Sequence, residues 1–565
     1  GIRFRSVSRG LGDVYKRQGI IVWVVRQKQN DSADYFLGGR DATWLAIGAS
    51  IFASNIGSEH LIGLAGAGAS SGMAMAHWEI QGWMILILGW VFVPFYSRSM
   101  VYTMPEFLER RYNPQSRTIL SVISLVSYVL TKVAVTVYAG GLVFQQVFGI
   151  KELWGIDFFW IAAIGLVVLT ALYTIFGGMK SVLYTSVLQT PILLLGSLII
   201  LVLGFKELGG WDEMMRVCGA VTVNDYGDTM TNLIRSNDDA NFPWLGALIG
   251  SAIIGFWYWC TDQFIVQRVL SGKNEKEARR GTIFGAYLKL LPVFLFLIPG
   301  MIAFALHQKY IGAGGEGFLP MLANGTANAD AAFPTLVAKL LPAGVKGLVV
   351  CGILAALMSS LASLFNSSAM LFTIDFYKRF RPETPEKKLV GIGQIATVVI
   401  VILGILWIPI MRSVGDVLYT YLQDVQSVLA PGIAAAFLLG ICWKRTSAQG
   451  GMWGLIAGMI IGLTRLGAKV YYSNAGEVAD STFKYLFYDM NWLFFCGWMF
   501  LFCIIVVIVV SLATEAPTAE KIQGLVFGTA TKEQKAATRA SWDHWDIIHT
   551  VIILAITGAF YWYFW

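Results

Sequence analysis

Long apolar segments follow one another along almost the whole chain, and short polar loops separate them. Each segment has about 20 residues or more, which is the length that an α-helix needs to cross the hydrocarbon core of a bilayer. A short apolar stretch before Gln27 adds a truncated helix, so we predict about fourteen helices in total. The full-length predicted spans are 43–68, 74–97, 118–148, 153–177, 183–205, 244–268, 281–306, 340–377, 389–411, 415–441, 451–470, 490–513 and 546–565.

Two of these spans contain polar residues that an unbroken lipid-facing helix does not need. The first span carries Ser54-Asn55-Ile56-Gly57-Ser58-Glu59-His60, and the span that begins near Pro243 carries Gly255-Phe256-Trp257-Tyr258-Trp259-Cys260-Thr261-Asp262-Gln263. Irregular backbone is tolerated at membrane depth only where protein or a water-filled cavity covers it. Interrupted helices in corresponding positions of two halves point to the substrate site of a transporter. The alternative for the first span is a packing helix whose small residues let other helices approach closely.

The basic residues lie mainly in alternate loops. Arg98–Arg117, Arg268–Arg280 and Lys378–Lys388 belong to one set, whereas the longest loop of the other set, Lys206–Asn241, is rich in Asp. Cytoplasmic loops carry the excess of Lys and Arg in membrane proteins. The alternation therefore predicts that the first set faces the cytoplasm and that the carboxyl end, Trp565, lies outside.

The spans divide into two groups of five with extra helices at the ends, and an odd number gives the second group the opposite orientation in the membrane. We therefore predict an all-α polytopic membrane protein of about fourteen helices with a five-plus-five inverted-repeat (LeuT-like) core. The predicted regions are an aberrant or truncated first helix and cytoplasmic loop (1–42), the first repeat (43–206), an extracellular loop (207–243), the second repeat (244–441), and three accessory helices with a cytoplasmic loop near 515–544 (442–565).

The composition agrees with this class, since 56% of the residues are hydrophobic and only 14% are charged. Soluble domains carry nearly twice that charged fraction. The net charge of +7 needs no nucleic acid as a partner, because most of the basic residues belong to one set of loops. The six cysteines show no disulfide or metal-ligand spacing. Residues 1–18, GIRFRSVSRGLGDVYKRQ, are basic without an apolar core, and we expect that a foreign or misread stretch replaces the natural start.

Several polar or aromatic side chains inside the spans are candidates for a binding site. Intramembrane ionisable residues are functional candidates by default, and an amide that donates and accepts suits a sugar hydroxyl. Each candidate also has a structural interpretation, as an ion pair, an interhelical hydrogen bond or a packing ring. For Lys132 we favour a structural ion pair. The other candidates are Glu79, Tyr258, Trp259, Lys289 and Gln423.

Ser359 and Ser360 are candidates for an ion site in the span 340–377. A hard cation prefers oxygen ligands. Hydroxyls together with carbonyls freed by an interrupted helix supply such ligands without net charge. Serines in membrane helices usually bond back to their own backbone, so a structural role is the alternative.

Several motifs in one order resemble the sodium/solute symporter family, and within it the sodium–sugar cotransporters and their inositol relatives. The resemblance extends from Asp34 to the final span. The motifs are ASNIGSEHLIGLAGAGASSG at 53–72, VYTMPEF at 101–107, WYWCTDQFIVQR at 257–268, MSSLASLFNSSAMLFTIDFY at 358–377 and PGIAAAFLLGICWKR at 431–445.

This resemblance implies alternating access and two sites. The implied sodium ligands are the backbone carbonyls of Ala53, Ile56 and Ala356 and the hydroxyls of Ser359 and Ser360. The implied substrate site has an inner aromatic gate, Tyr258, with Trp259 beside it. The polar residues of that site are Asn55, His60, Glu79, Lys289 and Gln423.

Three positions depart from family patterns. Gly255 stands where the characterised bacterial galactose carrier has an Asn, which removes one polar contact. Members that couple two sodium ions resemble one another in an Asp at the position of Ser186, and a hydroxyl-bearing residue is expected at the position of Ala362. A second cation site would lose its charge and one oxygen, so we expect one sodium ion per sugar.

We expect a sodium-coupled symporter that imports a monosaccharide of the glucose or galactose type. The alternatives are a myo-inositol/sodium symporter or a proton-coupled polyol symporter, and a transporter-like sugar sensor is less favoured. We expect no enzyme activity, because no metal-ligand cluster, nucleophile–base pair or phosphate loop is evident. The expected partners are a sugar or polyol, sodium as the coupling ion and a plasma or bacterial inner membrane. We expect no cofactor, nucleic acid or obligatory protein partner.

Overall fold

The computed structural model describes residues 31–57, 59–322, 325–412, 418–474 and 479–565, and almost all of its regular structure is helical. The truncated helix predicted before Gln27 lies outside these residues. Before Trp244, the elements are Ser32–Leu37, Gly38–Arg40 (3-10), Trp44–Asn55, Glu59–Leu64 (π), Ala65–Ser71, Gly72–Met75 (3-10), Ala76–Glu79, Gly82–Ile87, Leu88–Phe92 (π), Val93–Ser99, Met104–Arg111, Pro114–Ser127, Tyr128–Val133 (π), Ala134–Phe148, the strands Glu152–Leu153 and Ile156–Asp157, and the helices Phe158–Leu208 and Trp211–Gly219.

The second part of the chain is also helical where the structure describes it. Its longest helix, Ala343–Met370, carries Ser359 and Ser360 and is called the serine helix below. The elements are Trp244–Gly255, Phe256–Thr261 (π), Gln263–Leu270, Glu275–Lys289, Val293–Leu297 (π), Ile298–Gly312, Ala329–Ala331 (3-10), Ala332–Leu340, Ala343–Met370, Leu371–Tyr377 (π), Lys378–Phe380, Glu386–Arg412, Leu418–Cys442, Ala448–Asn474, Thr482–Lys484, Tyr485–Asp489 (π), Trp492–Ala513, Ala519–Ile522, Lys532–Ala540 and His544–Tyr563.

The first predicted interruption is present in the structure. The helix Trp44–Asn55 ends at Ile56, whose ψ of 92° is not helical, and a π-helical turn follows at Glu59–Leu64. The chain then turns at Gly72, which has a φ of +67°. His60 and Glu79 are 19 residues apart in sequence, yet His60 Nε2 lies 3.2 Å from Glu79 Oε2. The chain must therefore fold back between them.

The second predicted interruption falls at Asp262. A π-helical turn, Phe256–Thr261, leads into this residue, whose φ of −74° and ψ of 126° are extended. Its side chain accepts a hydrogen bond from the backbone N–H of Phe264 and so begins the next helix. A third irregularity lies between Lys289 and Val293, and the sequence analysis did not anticipate it.

The helical run Phe158–Leu208 contains two helical segments, as the predicted spans 153–177 and 183–205 require. Its 51 residues would extend about 77 Å as one straight helix, more than twice the thickness of the hydrocarbon core. Ser181 Oγ lies only 3.5 Å from Tyr173 O, so the chain reverses at Gly178, which has a φ of +52°. The predicted start at residue 153 is wrong, because a short hairpin of two strands occupies residues 152–157.

Gly178→Ala is expected to destabilise the protein by about 2 kcal/mol or more, since a side chain disfavours this backbone conformation. A Cβ atom at residue 178 would also lie 2.5 Å from the carbonyl oxygen of Tyr35. Thermal unfolding in detergent measures the effect. Gly165→Ala is the matched control on the same helical run, because its Cβ atom would contact nothing within 4 Å. Equal melting temperatures for both variants would contradict the prediction.

Ten helical stretches of the described residues are long and apolar enough to cross a membrane, which agrees with a multi-pass membrane protein. Two of the ten, Glu59–Ser99 and Phe158–Leu208, contain the reversals described above. Helices near the centre are mostly covered by protein, as the 83% buried window of Glu275–Gly312 shows, whereas His544–Tyr563 is only 22% buried and lies at the periphery. The count of fourteen, the inverted repeat and the regional boundaries stay predictions.

Candidate binding cavity

One cavity lies where the two interrupted helices approach each other. All seven residues of the predicted substrate site line it, so the structure brings together side chains from five separate parts of the chain. Six further residues also line the cavity, and none belongs to the predicted substrate set: Glu59, Trp78, Gln81, Ile254, Gly255 and Gln426.

A chain of polar contacts crosses this cavity. Asn55 Nδ2 lies 3.3 Å from His60 Nε2, and the same imidazole nitrogen lies 3.2 Å from Glu79 Oε2. Lys289 Nζ donates to Glu79 Oε2 at 2.6 Å. The Lys289 ammonium also lies 5.4 Å from the ring centroid of Trp259, within the range of a cation–π interaction. These contacts link the first interrupted helix to Glu79 and to the end of the helix Glu275–Lys289.

Two buried polar atoms of the predicted site have no hydrogen-bond partner among the described residues. They are His60 Nδ1 and Gln423 Oε1. A buried polar atom without a partner costs free energy. A ligand that both donates and accepts hydrogen bonds would recover that cost. A polyhydroxylated ring has this property at every hydroxyl group.

Gln81 and Gln426 are cavity residues that the sequence analysis missed. Gln426 lies three residues after Gln423 and therefore on the same face of its helix, so this spacing could have revealed it. Gln81 Nε2 donates to Ser251 O at 2.8 Å. A Cβ atom on Gly255 would lie 2.5 Å from Gln81 Oε1. The missing side chain at position 255 thus makes room for the Gln81 amide, which no local sequence signal indicates.

The first interruption frees two of the three carbonyl groups that the sequence analysis assigned to sodium. The backbone N–H of Gly57 donates to Asn55 O at 3.0 Å, so it does not reach the Ala53 carbonyl four residues before it. The N–H of His60 donates to Gly57 O at 3.2 Å, which leaves the Ile56 carbonyl without its helical donor. Among the described residues, neither carbonyl oxygen keeps its helical donor, so both could serve as ligands.

The serine helix approaches this interruption. Ser360 Oγ donates to Ser54 O at 2.9 Å, and Ala356 lies one helical turn before Ser360. Ser359 Oγ lies 3.3 Å from Ser186 Oγ on the neighbouring helix. Of the two predicted hydroxyl ligands, Ser360 is thus the one whose contact with the interruption is direct.

Lys132 forms an ion pair, in agreement with the structural role that we favoured. Its ammonium group contacts Asp262 Oδ2, and both side chains are almost fully buried. Tyr128 donates its hydroxyl to the other oxygen of the same carboxylate. The Lys132 ammonium also lies 4.7 Å from the ring centroid of Tyr258. This pair therefore fixes the second interruption directly beside the predicted aromatic gate.

A polar cavity between interrupted helices, enclosed in an apolar helical bundle, is the arrangement of a secondary transporter. The family model described as "Sodium:solute symporter family" matches residues 35–458. This chain belongs to the sodium:solute symporter family, as its motifs predicted. Members of that family are transporters, in line with the expectation that the chain is not an enzyme.

Individual proteins agree with this assignment. Human sodium/myo-inositol cotransporter 2 is 36% identical over 518 residues, which are 89% of this chain and 76% of that protein. The dog sodium/myo-inositol cotransporter is 37% identical over 525 residues, 89% of this chain and 72% of that protein. The solved structure of a Na⁺-coupled sialic acid symporter matches with a TM-score of 0.71 and 21% identity, and the match covers 92% of this chain and 99% of that one. At this identity, the last comparison supports the fold alone.

Proposed function

We propose that this protein is a sodium-coupled symporter that imports a cyclic polyol of the myo-inositol type by alternating access. The observation that carries the proposal is the cavity in which Asn55, His60, Glu79 and Lys289 form one chain of contacts. Such a set offers donors and acceptors to several hydroxyl groups at once.

The similarity to the two myo-inositol cotransporters changes the substrate that we expect for this protein. The sequence motifs led us to favour glucose or galactose, with myo-inositol as the alternative. The human and dog relatives are both named for myo-inositol, which supports the alternative better than the first choice. The seven residues of the predicted substrate site do not separate the two classes, because both present hydroxyl groups.

We place sodium between the first interruption and the serine helix. The carbonyls of Ala53, Ile56 and Ala356 with the hydroxyls of Ser359 and Ser360 would supply neutral oxygen ligands, the kind that a hard cation prefers. Sodium bound from outside would join the serine helix to the interruption that borders the cavity, and so favour the state that accepts the polyol. Coupling is reciprocal, because each ligand then raises the affinity for the other by the same factor.

Uptake of labelled myo-inositol, glucose and galactose into proteoliposomes tests this function, with and without an inward sodium gradient at constant pH. We expect sodium to drive myo-inositol uptake most strongly. Uptake that follows a proton gradient and ignores sodium would favour the proton-coupled alternative, in which Glu59, Glu79 or His60 carries the proton. Binding without transport would favour a sensor.

One sodium ion is expected to enter with each polyol molecule. Ser186 offers no negative charge, and its hydroxyl donates to Val182 O at 2.6 Å, while Ala362 offers no side-chain oxygen. A second cation site at these positions would lack ligands. The reversal potential of the transport current measures the stoichiometry, and a shift that corresponds to two ions per polyol would contradict this prediction.

A further inference from the structure

Glu59 is a cavity residue to which neither proposed site gives a role. It lies in the first turn after the interruption and lines the cavity with the predicted substrate residues. Unlike Glu79, which is 1% exposed, Glu59 is not fully buried by protein atoms. A Cβ atom on Gly57 would lie 2.9 Å from Glu59 Oε2 and 2.8 Å from Ser360 Oγ, so these two oxygens flank the same point.

Two other buried carboxylates at or near the cavity form ion pairs, whereas, among the described residues, the Glu59 carboxylate does not. Glu79 accepts from Lys289, and Asp262 accepts from Lys132. Within the described part of the chain, Glu59 belongs to no ion pair. An unpaired carboxylate inside a membrane protein is costly and points to a functional role. The Glu59 carboxylate is therefore available to a ligand, whereas the Glu79 carboxylate already binds two protein nitrogens.

We propose that Glu59 selects a cyclic polyol over a hexose. This inference rests on the proposed function, because it concerns the substrate of the same cavity. An ionised carboxylate only accepts hydrogen bonds. A ring that bears a hydroxyl on every carbon can donate to Glu59 from any edge.

A pyranose differs at one edge, where its ring oxygen has lone pairs and no proton. Placed against Glu59, this oxygen makes no hydrogen bond and faces another acceptor. Glu59 therefore favours rings that have no such edge, whereas the Asn55, His60 and Gln423 side chains bind hydroxyl groups of either class. An amide at position 59 would remove the discrimination, because its NH₂ group can donate to a ring oxygen.

The test compares sodium-driven uptake of myo-inositol and of glucose by the wild type, Glu59→Gln and Glu59→Asp in proteoliposomes with equal amounts of reconstituted protein. We expect Glu59→Gln to lower the myo-inositol-to-glucose uptake ratio about tenfold. This is the change in affinity that the loss of one hydrogen bond to a charged group usually causes. Glu59→Asp keeps the charge and should keep most of the preference. Glu383→Gln is the matched control, because Glu383 is exposed in a loop and its loss should leave the ratio unchanged.

Three results would overturn the inference. One is an unchanged ratio in Glu59→Gln. Another is a change in the sodium concentration for half-maximal uptake without a change in the ratio, which would make Glu59 part of the ion site next to Ser360. The third is an equal fall in Glu59→Asp and Glu59→Gln, which would show that a negative charge at this position does not keep the preference. The wild-type protein tests the proposed function separately. If it showed no sodium-driven myo-inositol uptake, both the proposed function and the inference would be rejected. The three results above would reject the inference and leave the proposed function intact.

Discussion

Ser360→Ala is expected to remove the sodium dependence of polyol uptake and to lower the sodium-driven rate at least about tenfold, the effect of losing about 1.4 kcal/mol of binding. The Ser360 hydroxyl contacts Ser54 O at the interruption, beside the two carbonyls that have lost their helical donors. Alanine removes this oxygen and the hydrogen bond that joins the serine helix to the interruption. At the proposed site, sodium would then have one ligand fewer and would no longer join the two elements.

Ser368→Ala is the matched control for this experiment. Ser368 is a fully buried serine two turns further along the same helix, and its hydroxyl has no partner among the described residues. Its replacement should leave the rate and the sodium response near those of the wild type. If Ser360→Ala responded to sodium as the wild type does, the ion would have to bind elsewhere.

The sequence identified the seven predicted substrate residues because each one is polar or aromatic inside an apolar span and because the family motifs assign them to the site. Asn55 and His60 stand out in the first span, and Lys289 lies too deep for its ammonium group to reach the surface easily. Gln426, which the sequence analysis missed, could have been found from the helical spacing after Gln423. These inferences need only the composition of a span and the geometry of one helix.

Other features depend on contacts between distant parts of the chain. Lys132 and Asp262 are 130 residues apart, and only the packed bundle pairs them. Gln81 reaches the cavity because Gly255 has no side chain, which is a property of two helices together. The hairpin at 152–157 resembles a membrane segment in composition, because Leu153, Trp154 and Ile156 are apolar. The seven predicted substrate residues can bind the hydroxyl groups of hexoses and of inositols alike, so the sequence motifs did not identify the substrate and the preference came from the relatives.

Glu79→Gln is expected to abolish transport and to destabilise the protein by about 3–5 kcal/mol, the usual cost of removing one partner of a buried ion pair. Glutamine keeps the shape of Glu79 but cannot neutralise Lys289, whose side chain is only 5% exposed. It also changes the acceptor that His60 Nε2 faces at 3.2 Å. The chain of contacts from Asn55 to Lys289 would lose its central member.

The double variant Glu79→Gln, Lys289→Gln separates stability from transport. It removes both charges, so the melting temperature in detergent should recover most of what the single variant loses. Sodium-driven uptake should stay at background, because two of the groups proposed to bind the polyol have changed. Recovery of uptake together with stability would mean that Glu79 and Lys289 only hold the helices in place. Recovered stability without uptake would instead place both side chains in the binding of the polyol, since a correctly packed bundle alone would then be insufficient for transport.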